Sequence, residues 1–303
     1  MTIETFRAEQ HGAGHGLLLR AAPSATLADL DPATTIRALA SAGFLLFRGF
    51  HPDITEFSAF TRAHSDRITL DPARQFEGKV AQKVDAGTDA VGLHIENGNS
   101  PFAPDLTWFY CRTAASAGSQ TTVCDGYRVW DELSPTARDA FAGQDIVYSR
   151  DVAAPAWKAF VRHHRGSTAP DESITVDDMR ALATGPGRTT ITEHDDGAIH
   201  YVYQVPAVHP TLFGERPSFA NSILGPSYNY QKPLITFADG TDLPAELLAE
   251  VRSVTESMTE DLDWQDGDVA LIDNTRVMHG RRAILDPARA IFNAQSFLAE
   301  KLR

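Results

Sequence analysis

Two potential metal ligands stand one residue apart in this chain, as His94-Ile95-Glu96, and a third, His279, lies 183 positions beyond Glu96. On a strand or its extension, residues i and i+2 point the same way. His94 and Glu96 can therefore grip one ion from one side. His279 follows a buried-looking run, Val269-Ala270-Leu271-Ile272, and the turn residues Asp273-Asn274. A fold that brings it alongside completes a two-His, one-carboxylate face with three coordination positions left open. Non-haem iron(II) oxygenases need that geometry for O₂ and substrates. Ten residues after His279 comes Arg289, a residue type suited to a bidentate grip on a carboxylate. His-x-Glu alone is a weak signal in a chain with 11 histidines, and a satisfied core or surface histidine is the bland alternative.

The remaining patterning is mixed and β-rich. Residues 31–42 read as a short amphipathic helix, with Asp31 as N-cap, Pro32 at the first helical position and Gly43 ending it. Phe44 to Phe47 reads as an apolar strand, and Ile54 to Arg67 as a helix with Phe57, Phe60 and His64 on one face. From Lys79 to Val84 the residues alternate, which puts Gln82 on the same face as Val80 and Val84. Leu106 to Arg112 has the β-branched and aromatic character of a central strand. Asp125 to Phe141 looks helical, punctuated at Leu133-Ser134-Pro135, and Leu243 to Met258 reads as a helix with Pro244 in its first turn. Ile199 to Val208 reads as a strand. Residues 152–190, with Pro155, Pro170, Gly185, Pro186 and Gly187, read as the least regular part. His163 and His164 fall there; on a strand they would face opposite ways and make a poor joint metal site.

These segments occur in the order found in one family. Phe44-Leu45-Leu46-Phe47-Arg48-Gly49-Phe50, the His94/Glu96 segment, Gly118-Ser119-Gln120-Thr121, His209-Pro210-Thr211 and Asp273-Asn274…His279-Gly280-Arg281…Arg289 together resemble the taurine dioxygenase-like (TauD/TfdA) iron(II), 2-oxoglutarate-dependent oxygenases. The resemblance spans roughly residues 36 to 298. It implies an all-β core with helical decoration, a cupin-like double-stranded β-helix or jelly roll, as one domain over residues 1–303 with a variable lid-like insertion at about 152–190. It also implies Fe(II) held by His94, Glu96 and His279, and 2-oxoglutarate as co-substrate, its far carboxylate paired with Arg289 and hydrogen-bonded by Thr121. A small-molecule substrate and O₂ would then react, releasing succinate and CO₂. Gln82, Asn97, Asn99, Phe102, Trp108 and Asn293 lie where a substrate could be read, against the simpler alternative of packing.

Departures from the family pattern narrow the reading. Many members carry Asp where this chain has Glu96; the clavaminate synthase-like subgroup acting on amino acids also uses Glu, and a retained carboxylate argues against halogenation. Asn293 stands where the taurine enzyme has a second Arg, which argues against sulfonates. The expectation is a hydroxylase of an amino acid or derivative in a biosynthetic pathway, with desaturation or cyclisation open. A non-catalytic jelly-roll binding protein would need a broken triad. A zinc hydrolase with the same ligands would have no use for a dicarboxylate clamp.

The net charge of −13 argues against nucleic acid or an anionic membrane surface as partner. No basic region followed by an apolar core opens the chain, and Cys111 and Cys124 suit a reducing cytoplasm without a disulfide. A homo-oligomer is compatible with the sequence.

Overall fold

The computed structural model describes residues 6–69, 76–77, 80–84, 87–166, 170–225 and 232–303. Its centre is a sandwich of two antiparallel-rich sheets. The larger runs, among its paired strands, Phe6–Gln10, Leu17–Ala21, Phe44–Arg48, Val269–Asp273, Leu106–Thr113 and Ala290–Leu298, continuing to Ala81–Lys83. The smaller has the order Glu260–Leu262, Thr121–Asp125, Val277–Arg281, Val91–His94. Phe44, Leu46, Phe109, Cys111, Ala270, Ile272 and Ile291 from the first sheet meet Val123, Leu262 and Val277 from the second in one buried cluster. This is the jelly-roll core, and its strands are buried on both faces because helices cover the outside.

Helices Pro32–Ala42 and Ile54–Ala63 pack Ile36, Leu39, Phe57 and Phe60 on the outer face of the larger sheet. Asp31 caps the first, accepting from the Thr34 amide at 2.8 Å, and Gly43 ends it at φ 81°. The second helix is shorter than its periodicity implies. It stops at Ala63, and Ser65–Thr69 pairs with Ala290–Leu298 instead. Strand pairing overrides local helical preference there. Helices Gly126–Glu132, Pro135–Gly143 and Ala245–Met258 cover the smaller sheet. Cys111 and Cys124 are free and buried, and burial pushes both thiols up to about 12.

The 152–190 stretch corrects the expectation of an irregular loop. It contains helices Ala154–His164 and Val176–Leu182, flanked by a sheet ordered Arg188–Glu193, Ile199–Pro206, Asp145–Val152, Leu234–Phe237. Trp157, Val161, Ile174, Val176, Met179, Ile191 and Ile199 form a separate apolar cluster. Its prolines and glycines do specific structural jobs. Pro155 occupies the first turn of a helix, where a missing N–H costs nothing, and Gly187 takes φ 82° in a turn. A Cβ on Gly185 would lie 2.0 Å from the Pro101 carbonyl oxygen, so only glycine fits there. His163 and His164 sit at the end of a helix, not on a strand. Residues 167–169, and Lys79 of the alternating run, lie outside the described residues.

Candidate active site

His94 ends the strand Val91–His94, and His279 is its direct cross-strand partner in Val277–Arg281. The two rings are 4.5 Å apart. Glu96 lies two residues past His94, and its Oε1 is 3.4 Å from His279 Nε2. One ligand atom from each of the three residues lies within 4.8 Å of the others. His94 Nδ1 donates to the Gly92 carbonyl at 2.9 Å, which leaves Nε2 facing its partners. All three residues line the main cavity, and Glu96 and His279 are buried. Two imidazole nitrogens and a carboxylate converging from one side match a face-capping set for a divalent transition metal.

The backbone of Glu96 is gripped by one side chain. Asn274 Oδ1 accepts from the Glu96 amide at 2.8 Å, and its Nδ2 donates to the Glu96 carbonyl at 3.2 Å and to the Pro104 carbonyl at 2.9 Å. The same turn ties down the His279 strand. Arg276 holds Asp125 bidentately at 2.7 and 3.1 Å and donates to the Ser41 carbonyl at 3.0 Å. Asp273 accepts from the Thr275 amide at 2.9 Å, and burial raises its carboxyl to about 6. Asp273 and Asn274 form the turn that leads into the His279 strand. From that turn the Asn274 side chain holds the Glu96 backbone, so the support that orients this ligand comes from the segment that also carries His279.

The strand Ala290–Leu298 lays out the rest. With the preceding Arg289, alternate residues Ile291, Asn293, Gln295 and Phe297 all line the cavity, while Phe292, Ala294 and Leu298 face the opposite core. Arg289 is buried and donates to the Val84 carbonyl at 3.0 Å. Thr121 lines the same cavity and accepts from Trp264 Nε1 at 3.0 Å. Asn293 Nδ2 donates to Glu96 Oε1 at 3.2 Å, and its Oδ1 is buried without a hydrogen-bond partner among the described residues. Arg281 also lines the cavity and donates to the Gly87 and Asp89 carbonyls, while Arg282 faces outward to Asp261 and Glu256.

Of the residues expected to read substrate, Asn97, Asn99, Phe102 and Asn293 line the cavity, which has a volume of about 1550 Å³. Asn97, in the left-handed region at φ 54°, donates to Gln295 Oε1 at 3.0 Å. Trp108 is a correction. Trp108 is fully buried on the other face of the sheet, donating to Ser296 at 2.9 Å and packing on Phe60 and His64. Its neighbour Phe109 faces the site, 5.3 Å edge-on from His279. Gln82 is buried and pairs in register with Asn293, on the same face of the sheet. Residues the sequence reading missed are Phe109, Gln295, Arg150, Tyr201 and Tyr203, all cavity-lining. Strand alternation could have singled out Phe109 in Leu106–Thr113 and Gln295, two residues beyond Asn293.

The Taurine catabolism dioxygenase TauD, TfdA family matches residues 15–295 of the chain. The chain belongs to the TauD/TfdA family. It is similar to a clavaminate synthase-like protein of Arabidopsis thaliana, 23% identical over 278 residues, covering 84% of this chain and 81% of the relative. It is also similar to the dapdiamide synthesis protein DdaC of Enterobacter agglomerans, 24% identical over 265 residues, covering 80% and 79%. The PvcB protein of Pseudomonas aeruginosa has the same fold, with a TM-score of 0.63 at 15% identity, covering 99% of this chain and 94% of that one. This TauD/TfdA protein is thus an Fe(II)- and 2-oxoglutarate-dependent dioxygenase with a jelly-roll core. No helix among the described residues is long and apolar enough to cross a membrane.

Proposed function

We propose that His94 Nε2, His279 Nε2 and the Glu96 carboxylate hold the iron, that Arg289 and Thr121 receive the far carboxylate of 2-oxoglutarate, and that the reaction is hydroxylation of a small amino acid or derivative in a biosynthetic pathway. The observation that carries this reading is convergence: the triad, Arg289 and Thr121 open on one cavity, although they come from four separate segments. The names of two relatives, one dapdiamide synthesis protein and one clavaminate synthase-like protein, support the biosynthetic setting.

In this reading both imidazoles are neutral and Glu96 is ionised, as metal ligation requires. Asn274 fixes the Glu96 backbone, and Asn293 donates to its Oε1, so the carboxylate enters the site already oriented. Bound iron and 2-oxoglutarate would supply the oxidising chemistry, with O₂ consumed, succinate and CO₂ released and one substrate C–H bond oxidised. Arg289 is buried and fixed by the Val84 carbonyl, so its fork is positioned before the dicarboxylate arrives. Phe109 walls His279 from the sandwich core and restricts water beside it. The cover built on helices Ala154–His164 and Val176–Leu182, whose Phe102-facing side lines the cavity, acts as the substrate lid.

The test is anaerobic loading with Fe(II) and 2-oxoglutarate, then admission of air with a panel of free and derivatised amino acids. Succinate release above the substrate-free background by at least one member is expected. Taurine should yield no sulfite, because Asn293 brings no charge to the position it occupies. Absence of 2-oxoglutarate consumption under all conditions would overturn the reading.

A further inference from the structure

The cover carries a second convergence of ligand atoms, on the face of its sheet turned away from the cavity. Side chains alternate along the strands. Arg150 lines the cavity and Asp151 points the other way, while His200 points outward between the cavity-lining Ile199 and Tyr201. Asp151 and His200 are direct cross-strand partners, and His200 pairs on its other side with Thr192. His194 lies two residues past Thr192 and shares its face. The turn after it is fixed by hydrogen bonds. The His194 amide donates to the Ala198 carbonyl at 2.8 Å, Asp196 Oδ1 accepts from the Ala198 amide at 3.0 Å, and Gly197 takes φ 80°.

His200 Nδ1 lies 2.8 Å and His194 Nε2 3.4 Å from the same oxygen, Asp151 Oδ1. One ligand atom from each of the three residues lies within 4.8 Å of the others. Ligands bonded to a tetrahedral zinc ion stand about 3.3 Å apart, so these two edges bracket that of a zinc site. An exposed His–Asp pair contributes little to stability and needs only one imidazole. Here two imidazoles reach one carboxylate oxygen from separate backbone segments. Two imidazoles and a carboxylate suit a borderline ion, and zinc stands above iron(II) in the affinity order of such ligands. The side chains are 40–56% exposed, which leaves a fourth position to water.

We propose that Asp151, His194 and His200 form a second metal site, on the outer face of the cover, that takes a zinc-class divalent ion. The site is independent of the oxygenase reading and uses none of its residues. An ion there joins strand Asp145–Val152 to the hairpin of Arg188–Glu193 and Ile199–Pro206. It sits one sheet thickness behind Arg150, Ile199 and Tyr201, and so stiffens the part of the cover that walls the cavity.

The experiment is a calorimetric titration of the chelator-stripped full chain with Zn(II). The triad in the cavity also takes zinc, so the wild type should bind two ions per chain and His279→Ala one. In the His279→Ala background, His200→Ala should weaken the remaining site by roughly tenfold or more. Asp151→Asn should weaken it too, while keeping an acceptor oxygen for both imidazoles. Zn(II) should slow hydrogen exchange across residues 188–202 in His279→Ala, and should not do so once His200 is also replaced. Where His279→Ala does not fold, the loss of one of two zinc ions from wild type to His200→Ala decides the matter alone. A His200→Ala protein that binds as many zinc ions as the wild type, with equal affinity, overturns the proposal, as does a folded His279→Ala protein that binds none. A wild type with a single zinc site that His200→Ala removes upholds the proposal and breaks the oxygenase reading instead.

Discussion

The two walls of the cavity are built on different principles. The jelly-roll wall holds its chemistry with backbone clamps. Asn274 grips both backbone polar groups of Glu96, Arg276 locks Asp125 to the end of a helix, and His94 and His279 face each other in strand register. The cover wall has its own apolar cluster around Trp157 and Val161, and presents aromatic rings and Arg150 to the same space. Metal chemistry tolerates little displacement, so its supports are buried hydrogen bonds with fixed partners. Recognition by packing tolerates substitution of volume for volume. Separate cores let the cover vary its cavity surface while the turn that carries Glu96 stays put.

Breaking the jelly-roll wall should have the larger consequence. With Arg289 as the proposed clamp, Arg289→Ala would remove the charge partner of the co-substrate's far carboxylate, at a cost of about 3–5 kcal/mol. The affinity for 2-oxoglutarate, measured by calorimetry on the metal-loaded protein, should fall by roughly two to four orders of magnitude while metal content is kept. Unchanged affinity would move the clamp to Arg281, the other buried guanidinium of that end. Breaking the cover should leave the metal alone. Ile191→Ala hollows the cover's cluster, with an expected cost of about 2–5 kcal/mol. Hydrogen exchange should rise across residues 145–206, with no change in metal affinity. Loss of metal in that variant would show that the two walls are one cooperative unit.

The smallest effect concerns pH, and the two walls carry opposite signs. Burial raises the Asp273 carboxyl of the jelly-roll turn from 3.8 to about 6. The folded state then binds the proton more tightly than the unfolded one, so this group's contribution to stability falls as pH rises from 4 to 6, by up to about 3 kcal/mol. In the exposed cover strand, hydrogen bonds from His200 and His194 lower the Asp151 carboxyl. Its contribution is present above its ordinary pKa and is lost as pH falls below it. Acid titration of unfolding in Asp273→Asn should lose the decline between pH 4 and 6, and retention of that decline would assign it to another group.

The same contrast explains what could be read from the chain. His94, Glu96, His279, Arg289 and Thr121 were legible because strand alternation and family-like segments report the frame, and the structure brings all five to one cavity. Leu106–Thr113 was legible as a strand but not as to which face points where. A one-residue difference in phase separates Trp108, buried in the opposite core, from Phe109 beside His279. The cover was illegible because its prolines and glycines, the residues that usually signal loops, serve a helix start and close backbone approaches. Its apolar cluster joins residues from 157 to 199, a long-range arrangement that no local period reveals. Arg150 carried no motif; only the cross-strand partner Tyr201 and the inward phase of its strand set it in the cavity.

The most direct test of the account is the number of Fe(II) ions bound per chain under anaerobic conditions, in the wild type and in His279→Ala. The account predicts one tightly bound Fe(II) in the wild type, and loss of that site in the variant while its circular dichroism and unfolding midpoint show a folded jelly roll. A folded His279→Ala protein that still binds one Fe(II) with wild-type affinity would contradict it.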